Sequence, residues 1–198
     1  RYLSVDDFGT LAIFGLFGGV LTNFLSFGLL NASIVFFHKL NIRKFRVLNF
    51  TNFIFQIISF ALGFVIVILT SEFVAQYIFN SSVDKNLIIA SYLYGCIFRL
   101  YHFFLSQVIQ QKRSFLYLIL TLINTSFLFL TTIIALVYFN LGLEGRILSL
   151  FIVIVPMFFL IIFTNLDYIY LKFSISNLKK SLKYSYPAIP STVVDLAN

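Results

Sequence analysis

The side chains with the greatest chemical capacity in this sequence are Arg99 and His102, three residues apart inside an apolar run over 87–109. A charge in such a run costs at least about 2.5 to 3.5 kcal/mol on insertion scales, so it is expected to face protein or a water-filled space. The planar guanidinium can hold a phosphate or pyrophosphate through two parallel hydrogen bonds, or serve as half of an ion pair. Glu72 and Asp167 fall toward the ends of their runs, so neither is placed by position to pair with Arg99. His102, one turn on, can titrate near neutral pH or stay neutral and hydrogen-bonded inside a bundle.

Uncharged polar residues recur at intervals of three and four in the neighbouring apolar runs. Asn49, Asn52, Gln56, Ser59, Gly63 and Thr70 fall within about 80° of arc at 100° per residue. Tyr92, Gly95, Cys96, Arg99, His102, Ser106 and Gln110 share a second arc, and Tyr117, Thr121, Asn124, Thr125 and Thr132 form a third. Helix packing alone accounts for some of this, because interhelical hydrogen bonds contribute about 1 kcal/mol each. Three coherent stripes favour a hydrated cavity, given the cost of burying so many amides. The candidate substrate contacts are Arg99, His102, Asn52, Gln56 and Asn124. HExxH, GxSxG, P-loop and paired-carboxylate patterns are all missing, so no catalytic residue, metal or cofactor is expected and transport is favoured over an enzyme. The single cysteine, Cys96, gives no disulfide framework.

The elements that must carry these residues are membrane helices. Hydrophobic residues make up 60% of the chain and charged residues 11%, with a mean hydropathy of +0.99, whereas soluble domains carry about 25% charged residues. Apolar runs lie near 8–37, 47–78, 87–109, 115–139 and 147–171, and another starts at 187–198. Each of the first five exceeds the roughly 20 residues needed to cross a bilayer. The expected fold is all-α, a polytopic transmembrane bundle with five full spans and the start of a sixth. The chain opens on Arg1 and its last run stops at Asn198, so a piece of a longer transporter domain is expected. Connections of a few residues make consecutive spans antiparallel and leave no loop to house a soluble catalytic domain. Gly15 and Gly19 at GxxxG spacing, with Gly18 between them, permit a close helix approach. Pro156 should kink the fifth run.

The net charge of +7 does not indicate nucleic acid, because the basic residues separate apolar runs and form no stripe. Lys39, Arg43, Lys44, Arg46, Lys112, Arg113, Lys172, Lys179, Lys180 and Lys183 fall in alternate connections on one side. Arg1, Lys85 and Arg146 fall on the other, with Asp6, Asp7, Asp84 and Glu144. Cytoplasmic loops retain positive charge, so the connection around Arg43 is expected inside and the chain's start outside.

Three segments resemble the polysaccharide flippases of the multidrug, oligosaccharidyl-lipid and polysaccharide exporter superfamily, the O-antigen and capsule flippases in particular. Arg1 to Gly9 (RYLSVDDFG) is similar to their "RyLs-x-eeFG" signature, Leu25 to Leu29 (LSFGL) to an "SLGL" segment, and Leu182 to Pro190 (LKYSYPAIP) to "lkyglPlip". In order and spacing they cover essentially the whole chain, as the second to sixth helices and the start of the seventh. The resemblance implies a parent of about twelve to fourteen helices that carries substrate through a cationic cavity by alternating access. It further implies an undecaprenyl-pyrophosphate-linked oligosaccharide as cargo, the bacterial inner membrane as location, and other polysaccharide-assembly proteins as partners. A basic residue common after the second motif is replaced here by Ile34 and Val35, so no substrate contact carries over to that stretch. Alternatives are a multidrug or small-solute exporter of the same fold and a membrane-embedded glycan polymerase or ligase.

The charge asymmetry makes a prediction about topology. Reporters fused after Lys44, Arg113 and Lys180 should read cytoplasmic and one at Asp84 external; the inverted pattern would refute the orientation.

Overall fold

The computed structural model describes residues 3–78 and 84–188, and every element among them is helical. The helices are α1 (Val5–Leu25), α2 (Leu29–Lys39), α3 (Ile42–Phe73), α4 (Lys85–Gln110), α5 (Ser114–Ile133), α6 (Gly142–Thr164) and α7 (Ile175–Ser185). Single wide π turns extend α3 over Val74–Ile78 and α5 over Ile134–Tyr138. Five stretches are long and apolar enough to cross a membrane: Val5–Leu25, Ile42–Tyr77, Lys85–Gln110, Ser114–Tyr138 and Gly142–Thr164. The chain is therefore an all-α, membrane-spanning bundle, because helices satisfy every backbone group internally where no water can.

The helix ends have local causes. Ser4 opens α1 with a capping box, its hydroxyl accepting from the Asp7 amide at 3.2 Å while Asp7 Oδ2 accepts from the Ser4 amide at 2.8 Å. Asp6 and Asp7 in the first turn complement the positive end of the helix dipole. Asp84 caps α4 by accepting from the Asn86 amide at 3.2 Å.

The apolar run over 8–37 is two helices and not one. Two successive residues, Phe27 (φ 49°) and Gly28 (φ 63°), adopt the left-handed conformation and end α1. Only glycine takes that conformation without penalty. Phe27 is held in it beside Phe55, with ring centroids 5.6 Å apart edge to face. The run over 147–171 also ends early: α6 stops at Thr164, and Asn165 folds its side chain back onto the Ile161 carbonyl at 2.9 Å. Pro156 sits on the exposed side of α6, and the helix continues through it. Of the run that begins at 187, residues 189–198 lie outside the described residues, as do Arg1 and Tyr2 of the first motif.

Helix α4 is the centre, packed by α1, α3 and α6, with α5 lying against α6 and the flank of α4. The α1–α4 crossing is a contact between backbones. A Cβ on Gly18 would collide with the Ser91 carbonyl, and one on Gly95 would stand 2.6 Å from the Gly18 carbonyl and 3.1 Å from Thr22. The Ser91 hydroxyl donates across this crossing to the Phe14 carbonyl. The close approach thus belongs to Gly18 and Gly95, whereas Gly15 and Gly19, the GxxxG pair, meet nothing. Progression from Phe14 to Thr22 on α1 matches Ser91 to Gly95 on α4, so the two helices run parallel.

Helix α3 runs antiparallel to α4: Asn49 meets Gln107, Phe53 meets Phe104 and Phe60 meets Tyr92. One apolar core, around Phe103, Phe104, Leu120, Val153 and Ile161, joins α4 to α5 and α6. A second, around Phe60, Val67, Ile88 and Tyr92, joins α3 to α4.

The stretch Ile42–Tyr77 has 36 residues, about 54 Å of helix at 1.5 Å per residue against a bilayer core of about 30 Å. Its first turns are braced by α2 and α7, each of 11 residues and too short to span. Both pack on α3 and form a layer at the basic end of the bundle.

The Gly18–Gly95 contact predicts a sharp contrast. Gly95→Leu should destabilise the detergent-extracted protein by about 1–3 kcal/mol or more, read as a lower thermal midpoint, while Gly15→Leu should change little. Equal stability of the two variants would refute the crossing.

Candidate polar site at the helix α1 break

Most of the polar stripe on α3 is used in holding helices together. Asn49 and Gln107 form a reciprocal amide pair, Asn49 Nδ2 donating to Gln107 Oε1 at 3.1 Å and Gln107 Nε2 to Asn49 Oδ1 at 2.6 Å. Both are buried, and Asn49 also donates to the Tyr168 carbonyl at 3.1 Å, tying in the turn after α6. Ser59 donates to the Leu25 carbonyl at 2.8 Å, and the Tyr92 hydroxyl to the Phe60 carbonyl at 2.8 Å. Thr70 is exposed and bonds back to its own helix at Ile66.

Asn52 and Gln56 are also fully enclosed, so the structure places them in the packed interface of α3 and not on an open cavity wall. Asn52 Nδ2 donates to Ser33 Oγ at 3.0 Å, but among the described residues its Oδ1 has no partner, and neither has Gln56 Nε2. Each is a buried polar group left short of a hydrogen bond, which costs about 1–3 kcal/mol.

The contacts of α3 fix the depth of Gln56. Ser59 meets Leu25 and Asn52 meets Ser33, which brackets Gln56 at the level of Gly28. The α3–α4 pairings place it opposite the turn holding Arg99 and Leu100. One turn beyond the Gly95–Thr22 contact, the α1–α4 register brings Arg99 level with Ser26, where α1 ends. Gln56, Arg99 and the α1 break therefore occupy one level of the bundle.

Arg99 is half-buried near the middle of α4, and its Nε is closed off from solvent without a hydrogen-bond acceptor. Among the described residues it has no carboxylate partner. His102, also half-buried, lies on the same face and is flanked by the rings of Phe98 at 4.3 Å and Tyr101 at 5.5 Å. The rest of the α4 stripe is structural. Gly95 and Tyr92 make the contacts above, Ser106 bonds back to Phe103, and Gln110 pairs with His38 Nε2 at 2.6 Å.

Asn124 is separate from the other four candidates. It is half-buried on α5, which packs chiefly on α6 and leaves most of its surface uncovered. Two threonines of that stripe bond to their own helix, Thr121 to Tyr117 and Thr132 to Leu128. The Thr132 hydroxyl also accepts from Arg146.

A cavity of about 550 Å³ opens between α2 and the end of α7, lined by Asn31, Ile34, Val35, Tyr184 and Pro187. It contains none of the five candidates and no charge. Sequence reasoning missed Asn31 and Gln107. The helical period that marked the stripes does not say which of two polar neighbours on α4, Gln107 or Gln110, faces α3. Among the described residues no three His, Cys, Asp or Glu side chains group as a metal site would need.

Fold and site together describe a polytopic helical membrane protein with an unpaired cation and an unpaired amide at one depth. Compared with protein-family models, curated proteins and solved structures, the chain matches none.

Removal of one partner from the Asn49–Gln107 pair strands the other. Asn49→Ala should therefore cost about 1–3 kcal/mol, and Asn49→Leu combined with Gln107→Leu should restore most of it. Strictly additive losses in this double-mutant cycle, read from thermal midpoints, would show the pair to be uncoupled.

Proposed function

We propose that this chain belongs to a flippase that moves undecaprenyl-pyrophosphate-linked oligosaccharide across the bacterial inner membrane for surface polysaccharide synthesis. The observation that carries the reading is Arg99, a cation within a spanning helix whose buried Nε has no acceptor and which has no carboxylate partner among the described residues. The insertion penalty of such a group calls for a compensating negative charge. A pyrophosphate supplies it, and its oxygens match the two-pronged donor face of a guanidinium.

The break between α1 and α2 supports the same reading. At the level of Arg99 the helix covering this face of α4 ends, and Gln56 presents an amide nitrogen without a partner. Interrupted helices near polar side chains are a recurrent way of building substrate sites inside transporters. The three sequence segments that resemble polysaccharide flippases fall at the α1 cap, the α1–α2 break and the end of α7. Arg99 is assigned phosphate contact, and His102 lies one turn along the path the headgroup would take. Asn52 and Gln56, enclosed in the α3 interface behind them, are assigned a supporting role and no substrate contact. Asn124, on α5, has no described contact with the other candidates and no support beyond its polarity.

The test is surface glycan per unit of folded membrane protein, in a strain that depends on the intact protein for it. Arg99→Ala should reduce that ratio at least tenfold, and Arg99→Lys should give an intermediate value because it keeps the charge and loses the fork. A normal ratio in Arg99→Ala would eliminate the assignment. Loss of the protein itself would instead identify Arg99 as half of a structural ion pair.

A further inference from the structure

At the basic end of the bundle, the end of α2, the first turn of α3 and the start of α7 enclose a cavity of about 390 Å³. Arg43, Lys44, Lys172 and Lys180 line it together with Ser174 and Asn177, and among the described residues no carboxylate does. The positive-inside tendency explains why these cations lie at this end. It does not explain why four of them, from two stretches of chain far apart in sequence, line one cavity beside hydrogen-bonding groups.

The backbone adds charge of the same sign. Helix α3 begins at Ile42 with no side-chain cap from Asn41, whereas α7 begins at Ile175 under a cap from Ser174, whose hydroxyl accepts from the Asn177 amide at 3.4 Å. Each N-terminus carries the equivalent of roughly +0.5 charge. Arg43 and Lys44 stand in the first turn of α3, where a cation opposes the dipole. Four cations thus converge on one cavity beside the uncapped start of α3, with no counter-charge in its wall among the described residues. A bound anion is the simplest way to balance them, and flexible lysines beside an arginine suit a phosphate.

The surroundings point to a lipid. Leu171 is 83% exposed, Ile175 63% and Phe173 44%, so apolar side chains alternate with Lys172 along the approach to α7. A second basic groove continues along α7 through Lys179, Lys180 and Lys183. Lysine stems over an apolar margin are the arrangement found where a protein meets headgroups and acyl chains together.

We propose that this cavity binds the phosphodiester headgroup of an anionic membrane phospholipid, with Arg43, Lys44, Lys172 and Lys180 as the charge contacts. The site is distinct from Arg99 and does not depend on what the protein transports. Binding holds the overlong start of α3 and the short helix α7 against the bilayer surface.

The experiment measures lipid binding to the intact protein in nanodiscs of phosphatidylcholine doped with phosphatidylglycerol, by native mass spectrometry or a labelled-lipid titration. Phosphatidylglycerol should be retained in preference to phosphatidylcholine. Lys172→Gln with Lys180→Gln should weaken it by about fivefold for each cation removed. Both lysines are exposed, so the variant should keep the parent's thermal midpoint. The control pair Lys112→Gln and Arg113→Gln, at the same end but outside the cavity, should change binding less than twofold. An equal loss in the control would reduce the effect to the general surface field and overturn the site. Equal retention of phosphatidylcholine would overturn it as well. Displacement of the lipid by millimolar inorganic phosphate would reassign the cavity to a soluble anion and overturn the lipid proposal.

Discussion

The contact of α1 and α4 at Gly18 and Gly95 sets the depth register of everything else. Two helix backbones approach closely only where neither carries a Cβ, and here a methyl on either glycine would overlap the other helix. Once Gly18 is seated against Ser91 and Gly95, the end of α1 must fall at the level of Arg99. Helix α3, hung from the Leu25 carbonyl by Ser59 and from Tyr92 through the Phe60 carbonyl, then brings Gln56 to the same level. In a bilayer this kind of contact carries more weight than apolar burial, because lipid tails solvate leucine as well as another helix does.

The polar residues of the spans divide by whether their hydrogen bonds are met. Asn49, Gln107, Ser59, Ser91 and Tyr92 spend theirs on neighbouring helices and act as interhelical ties. Asn52, Gln56 and Arg99 keep atoms without partners. An unpaired group in a low-dielectric interior is costly, whereas the same group hydrogen-bonded across a helix pair stabilises the bundle modestly. The ties of the first set therefore stabilise the bundle, whereas the unmet groups of the second set, like those of Arg46, Tyr101 and Gln111, cost it stability.

The excess length of α3 organises the basic end. A helix nearly twice as long as the bilayer core extends past it unless strongly tilted, and α2 and α7 cover its first turns. Helix α7 reaches α2 and α3 with a face of Ser181 and Ser185, both buried, and leaves Lys179, Lys180 and Lys183 outward. Small side chains on the inner face let the helix lie close, and that closeness brings Lys180 of α7 beside Arg43 and Lys44.

Composition and the length of the apolar runs were enough to establish an all-α membrane bundle, since only helices of that length and hydropathy close their own backbone hydrogen bonds in lipid. The sequence also located a polar face on α3 and a cation inside α4, because helical period places residues on faces without reference to any partner. It could not tell which partner each face meets. Gly15 and Gly19 carry the recognisable spacing, yet Gly18 makes the contact, because the seat is decided by where Ser91 and Gly95 stand on another helix. Asn49 and Gln107 are 58 residues apart, and nothing local distinguishes them from Asn124, which stays away from the α3 stripe. The break at Phe27 and Gly28 was hidden in a continuous apolar run, since hydropathy reports solubility and not backbone dihedrals. Pairing, depth and the gathering of cations from distant segments are properties of the packed helices, so only the tertiary structure decided them.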